Sequence, residues 1–310
     1  MKIMFMGTPE IAASCLRSLV ELGGEVTSVV TGEDKPRGRG NVMTPTAVKA
    51  LALEMGIPVY TPRTLRDDAF LEILEREAPD LIAVVAYGKI LPKSVLDFPK
   101  YGCVNLHVSL LPKYRGAAPM QRSIMEGERE TGVTVMYMEE GLDTGDILAV
   151  SKFPIGDADD FEAIHDRSAE IGGPLLADTI KKIFEGRAER TKQNDAETTY
   201  ARKVEKADCK LDFTLPAEKL DFIIRGVTPI PGAFAYLNGK MLKINRALVT
   251  RGSGEPGEVI AVDGTAEGSF TVACGEGALK VLCVIPEGKG KMSAGDFIRG
   301  RKIALGDVLS

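Results

Sequence analysis

A metal centre and a disulfide framework are the first things this sequence lacks the means to build. Its five cysteines, Cys15, Cys103, Cys209, Cys274 and Cys283, are odd in number and form no Cys-x-x-Cys pair, which argues against a zinc site and a closed set of disulfides. Reduced thiols are expected, and no metal. Tryptophan is absent and histidine occurs twice, so any histidine chemistry rests on His107 or His165. No apolar run approaches the roughly 20 residues that span a bilayer; the most apolar, Leu81 to Tyr87, suits a buried strand. Met1-Lys2 leads straight into an apolar strand and leaves no room for a signal or transit peptide, so a cytoplasmic location is expected. Internal repeats and low-complexity tracts are missing as well.

What is there describes a globular chain of two domains. Its 310 residues exceed the roughly 250 to 300 at which a single core stops growing. With 44% apolar and 27% charged residues, neither disorder nor a membrane protein is suggested. The net charge of −5 is unevenly held: residues 206–310 carry 14 Lys and Arg against 12 Asp and Glu, so the acidic excess lies in the first 205. A mildly basic tail is compatible with an RNA ligand touching it.

Lys2 to Met6 reads as a buried strand, followed by a helix with Thr8 as N-cap and Pro9 in its first position, then a strand from Glu25 to Thr31. This β-α-β opening lacks Gly-x-Gly-x-x-Gly, so its backbone cannot approach a pyrophosphate in the usual way, which disfavours a nicotinamide or flavin enzyme. Gly32 to Met43 reads as a mobile loop. Its Lys35, Arg37 and Arg39 suit either a solvated surface or a cationic finger contacting phosphates. Pro45–Met55 and Asp67–Glu77 follow as helices, Leu81–Ala86 as a central strand, and 159–186 as helical sequence interrupted at Gly172-Gly173-Pro174. His165 on that sequence reads as a surface residue. Residues 1–186 therefore form one domain, 187–207 a polar, aperiodic linker, and 208–310 a second domain. In the second, Asn238-Gly239 marks a hairpin, and regularly spaced strands predict a small β-barrel of about five strands with a helix.

The chemistry points to one stretch, Asn105 to Pro119. His107 ends the strand-like run Gly102–Leu106, where open α/β sheets place their sites. A lone histidine between Leu106 and Val108 is ordinarily a packed side chain. Asn105, however, lies two residues earlier and projects from the same face of the strand. Asp143, in Gly141-Leu142-Asp143-Thr144-Gly145-Asp146, could bring a carboxylate to the same crevice. An amide, an imidazole and a carboxylate can together stabilise an oxyanion, move a proton and fix the charge of the histidine.

Asn105, His107 and Ser109-Leu110-Leu111-Pro112, with Asp143 in Gly-Leu-Asp-Thr-Gly, resemble the folate-dependent formyltransferases. The likeness runs nearly end to end, through Met6-Gly7-Thr8-Pro9, Lys35 to Gly40, and Val85 to Pro92, and is nearest to the branch whose acceptor is methionyl-tRNA. Val108 departs from the small residue common there, which bears on the width of the pocket. The resemblance implies an α/β fold, with a Rossmann-like catalytic domain on a parallel-rich sheet followed by an OB-like barrel. It implies 10-formyltetrahydrofolate as formyl donor, initiator methionyl-tRNA as partner, and catalysis by Asn105, His107 and Asp143. Ser109, Leu110, Leu111, Pro112, Gly88, Lys89 and Ile90 would line the folate site, and Lys35, Arg37 and above all Arg39 would meet the acceptor stem. A monomer is expected. The rivals are a formyltransferase for another amine, a formate-releasing hydrolase, a non-catalytic RNA binder on the same scaffold, and a dinucleotide oxidoreductase.

Overall fold

The computed structural model describes residues 1–37 and 40–310; Gly38 and Arg39 lie outside the described residues. In chain order the first elements are β1 (Ile3–Gly7), α1 (Glu10–Glu21), β2 (Val26–Val30), β3 (Lys35–Arg37), β4 (Val42–Thr44) and α2 (Ala47–Glu54). There follow β5 (Val59–Tyr60), α3 (Asp68–Glu77), β6 (Leu81–Val85), α4 (Lys93–Leu96), β7 (Cys103–His107) and β8 (Arg115–Gly116). Next come α5 (Pro119–Met125), β9 (Glu130–Tyr137), β10 (Ile147–Pro154), α6 (Phe161–Phe184) and β11 (Tyr200–Ala201). Contacts divide the chain into two compact units, the first comprising 1–116, 130–153 and 165–201, the second 117–129, 154–164 and 202–310.

The first unit is built on a seven-stranded sheet in the order β10-β9-β7-β6-β1-β2-β5. From β7 to β5 its strands run parallel, and β9 joins antiparallel to β7. β1 and β6 are buried at every position, as strands covered on both faces must be, and this is why they read as unbroken apolar runs. The chain moves outward from β1 through β2 to β5 and returns to the other side of β1 at β6. That reversal opens a crevice at the carboxyl ends of the strands, the usual place for a ligand in such a sheet. The loops after β1, β6 and β7 all leave that edge.

Three local expectations change. Thr8 does not cap α1; Pro9 precedes the helix, and the Thr8 hydroxyl donates to the Tyr87 carbonyl at 3.3 Å, joining the loops after β1 and β6. The arginine-bearing stretch is not all loop, since Lys35, Pro36 and Arg37 pair antiparallel with Thr44, Met43 and Val42. α6 is continuous through Gly172-Gly173-Pro174. The two glycines serve close packing: a Cβ on Gly172 would lie 2.6 Å from Leu106, and one on Gly173 would lie 2.6 Å from the Cβ of Ser18. Tertiary contact with β7 and α1 there overrides the weak helix propensity of the tripeptide.

The second unit holds α7 (Ala217–Val227), β12 (Ala233–Leu237), β13 (Lys240–Thr250), β14 (Val259–Val262), β15 (Phe270–Ala273), β16 (Ala278–Pro286), β17 (Met292–Ser293) and α8 (Ala294–Arg299). Its antiparallel sheet runs β12-β13-β16-β15-β14, with β17 added to β16, one strand more than the sequence suggests. Asn238 and Gly239 both take positive φ, 50° and 76°, at the tight turn between β12 and β13. The tail bridges both edge strands through Leu237–Leu309 and Glu258–Val308. That protects edges which would otherwise be open to pairing with another chain.

Candidate active site

β7 delivers Asn105 and His107 to the carboxyl edge of the sheet. In register, Asn105 pairs with Val84 and Met136, and His107 with Thr134. His107 is buried and Asn105 half-buried. Among the described residues, no group takes up the Asn105 carboxamide in a hydrogen bond, so both its polar atoms remain available. The imidazole is held at both ends. Its Nε2 lies 2.9 Å from the Tyr114 carbonyl oxygen, and because a carbonyl can only accept, Nε2 carries a proton. Its Nδ1 faces Asp143 Oδ2 at 3.6 Å, beyond hydrogen-bond range. That carboxylate oxygen instead accepts from the Gly116 backbone N–H at 2.8 Å.

Asp143 adopts a left-handed φ of 53°, a conformation Asp tolerates better than most residues but one that needs support from its surroundings. Part of the support is Gly145, where a Cβ would lie 1.9 Å from the Tyr137 carbonyl oxygen. The rest comes from the stretch that reads as a linker. The Gln193 carboxamide donates to the Asp143 and Gly145 carbonyls, both at 2.8 Å. Its oxygen accepts from Arg115 Nε and Nη2 at 3.1 and 2.8 Å. Thr199 accepts from the Tyr114 N–H through its hydroxyl at 2.9 Å and from the Arg115 N–H through its carbonyl at 2.9 Å. β11 then pairs with β8. No periodicity or motif marks Gln193 or Thr199, so spacing alone could not have found them.

The Ser109–Pro112 turn packs against the same strand edge. The Ser109 hydroxyl is buried and donates to the Lys113 carbonyl at 2.7 Å, while Thr134 donates to the Ser109 carbonyl at 2.6 Å. Leu111 is buried, and Leu110 lies over Gly132, where a Cβ would come within 2.5 Å of it. Pro112 is half-buried. Across the edge, a Cβ at Gly88 (φ 80°) would meet only open space, and Ile90 is 79% exposed. The backbone from Gly88 to Ile90 is thus approachable by a flat ligand with its own donors and acceptors, with apolar surface beside it. The Lys89 ammonium is directed elsewhere, donating to the Pro62 and Arg63 carbonyls at 2.6 and 2.9 Å. Of the cationic finger, Lys35 stands exposed on β3, Arg37 ends that strand, and Arg39 lies outside the described residues. His165 is not gathered into this site and pairs with Asp166 at 2.9 Å.

The thiols take no part. All five cysteines are free. Burial pushes Cys15 and Cys103 up to about 12 and Cys274 up to about 11, which keeps them protonated and unreactive. Among the described residues no helix is long and apolar enough to cross a membrane.

Comparison with known proteins gives the geometry a context. The formyl transferase family model matches residues 1–180, and the model for the formyl transferase C-terminal domain matches residues 203–302. The chain is 45% identical to the methionyl-tRNA formyltransferase of Citrifermentans bemidjiense, over 100% of this chain and 96% of that protein. It is 46% identical to the protein of the same name from Myxococcus xanthus, over 98% of this chain and 96% of that one. Among solved structures, HypX from Aquifex aeolicus in complex with tetrahydrofolic acid shares the fold with a TM-score of 0.66 at 20% identity, covering 96% of this chain and 46% of that one.

Proposed function

This chain belongs to the methionyl-tRNA formyltransferases, and we infer that it transfers the formyl group of 10-formyltetrahydrofolate to the α-amino group of methionine on initiator tRNA, for translation initiation. The single observation that carries the catalytic assignment is the approach of Asp143, from one loop, to within 3.6 Å of His107 at the end of β7, the strand that also carries Asn105.

Transfer of a formyl group between nitrogens needs a neutral amine as nucleophile, stabilisation of the oxyanion formed when it attacks, and a path for its proton to the departing nitrogen. No metal or covalent enzyme intermediate is required. In this reading the uncommitted Asn105 carboxamide donates to the oxyanion, and His107 serves the proton transfer. With Nε2–H fixed on Tyr114, the Nδ1 edge is the one that exchanges protons. When a proton sits on Nδ1, the Asp143 carboxylate pairs with it, and the two groups relay the amine proton toward the leaving nitrogen. Gly116, by donating to Asp143 Oδ2, keeps the carboxylate within reach without committing it to the ring.

The folate fits the open backbone of Gly88–Ile90 and the apolar surface of Ile90 and Leu110. Lys89 holds that loop through its ammonium, and Ser109, Leu111 and Pro112 shape the facing turn. Lys35, Arg37 and Arg39, with the C-terminal sheet of residues 208–310, are assigned to the tRNA, since a small acceptor needs neither. The catalytic groups all lie in the first contact unit, and a monomer is the assigned state. The acceptor is an aminoacyl-tRNA, and the cytoplasm is the compartment assigned. Loss of one oxyanion donor typically lowers turnover by about 10²-fold to 10³-fold. Asn105→Ala and Asp143→Ala are each expected to fall by about that factor while keeping the thermal unfolding midpoint of the parent. Near-normal turnover in a folded variant would remove that residue from the mechanism.

A further inference from the structure

The segment between the two family-model matches, residues 181–202, contains the side chain that ties the candidate site together. Gln193 uses its whole carboxamide. Its nitrogen spans the Asp143 and Gly145 carbonyls, and its oxygen accepts from Nε and Nη2 along one edge of the Arg115 guanidinium. Arg115 is only 3% exposed and completes its pairing with Asp195 at 2.9 Å. The backbone flanking Arg115 provides two of the contacts that define the site: the Tyr114 carbonyl facing His107 Nε2 and the Gly116 N–H on Asp143 Oδ2. One amide therefore links the loop bearing Asp143 to the loop that orients His107.

We propose that Gln193 is a positioning residue for formyl transfer, setting the Asp143 carboxylate against His107 through the Arg115–Gln193–Asp143 chain of hydrogen bonds. The proposal rests on the formyl-transfer reading above. A left-handed aspartate is intrinsically unfavourable, and its carbonyl would otherwise turn toward water and carry the side chain with it. Arg115 fixes which end of the carboxamide faces the loop, because a guanidinium can only donate. Gln193 touches neither formyl donor nor acceptor in this arrangement; it acts through Asp143. Displacement of a reacting group by about 1 Å can cost about 10²-fold in rate. Substrate binding, made elsewhere, should not change.

The test is a double-mutant cycle on the full chain, using steady-state formyl transfer from labelled 10-formyltetrahydrofolate to methionyl initiator tRNA. Gln193→Glu keeps the size of the side chain and its acceptor toward Arg115 but opposes two carbonyls with a carboxylate. It is expected to lower kcat about tenfold to 100-fold with KM for the folate unchanged within about twofold. In the Asp143→Asn background the same substitution should change the rate by less than about threefold, because coupled residues are non-additive. Equal factors in both backgrounds, or a rise in KM at constant kcat, would overturn the proposal. If Gln193→Glu fails to fold, Gln193→Met, neutral and of similar length, takes its place in the same cycle with the same two outcomes. An active parent with fully active Gln193 variants sinks the positioning role alone, whereas a parent that transfers no formyl group sinks the underlying reading as well.

Discussion

At the scale of single residues, the site depends on backbone positions as much as on functional groups. Gly145 is the sharpest case. With a Cβ it would meet the Tyr137 carbonyl at 1.9 Å, and neither the strand nor the Asp143 turn can yield without moving the other. Gly145→Ala is expected to destabilise the fold by about 1–3 kcal/mol, as overpacking does, and to lower turnover by at least about tenfold through displacement of Asp143. Gly290→Ala, at a position open on every side, is the matched control and should leave both unchanged. Thermal unfolding and turnover measured on the pair decide the matter; equal behaviour of the two variants would show that the turn is not held as described. Asn105 and His107 were legible in the sequence because a strand alternates its faces, so two residues at i and i+2 must emerge together. Asp143 was legible as a carboxylate in a glycine-punctuated loop. Gln193 was not, because its role is defined by two carbonyls and a guanidinium, groups that leave no pattern in the surrounding residues.

Elements whose physics is local were easiest to read, and those fixed by tertiary contact were read least well. The Asn238-Gly239 hairpin follows from short-range chemistry, and so does the helix read over Asp67–Glu77, whose first residue is its cap, with the Asp67 side chain accepting from the Phe70 N–H at 3.0 Å. α6 runs on through Gly-Gly-Pro, where β7 and α1 come close enough to exclude side chains, a tertiary requirement that local propensity does not carry. The stretch that reads as a linker contains an equally specific structure within the second unit. Its Arg202 side chain and Glu205 N–H, with Arg122 Nη2 at 2.6 Å, all donate to Asp208, the residue that follows that stretch. Burial alone would raise its pKa, but those hydrogen bonds and the positive charge of Arg122 outweigh it and hold the carboxyl at about 2, against an ordinary value of 3.8. A group depressed on folding stabilises fully above its unfolded pKa, and its contribution disappears as pH falls through the folded one. Asp208→Asn should therefore be less stable than the parent at pH 7 by about 2 kcal/mol, with the gap closing between pH 4 and pH 2. Unfolding midpoints measured across that range check it, and a gap independent of pH would contradict the assignment.

For the molecule as a whole, composition set the broad class and the fold supplied the setting. The unbroken apolar runs of β1 and β6 announce a sheet covered on both faces, and the return of the chain across β1 makes the crevice where the three site loops gather. The six-stranded antiparallel sheet of the second unit was legible in its regular turn signals. The pairing of its two edges by the last residues was not, because Val308 and Leu309 carry no strand pattern of their own. The small basic excess of residues 206–310 is too slight to identify a nucleic acid by itself; family membership, together with a site that can move a formyl group, gives the tRNA its place. The most direct measurement is transfer from labelled 10-formyltetrahydrofolate with methionyl initiator tRNA, methionyl elongator tRNA and water offered separately as acceptors. Labelled formylmethionine on the initiator tRNA, with little on the elongator and little free formate, is the predicted result. Formate released equally in all three, with no label on either tRNA, would contradict the account.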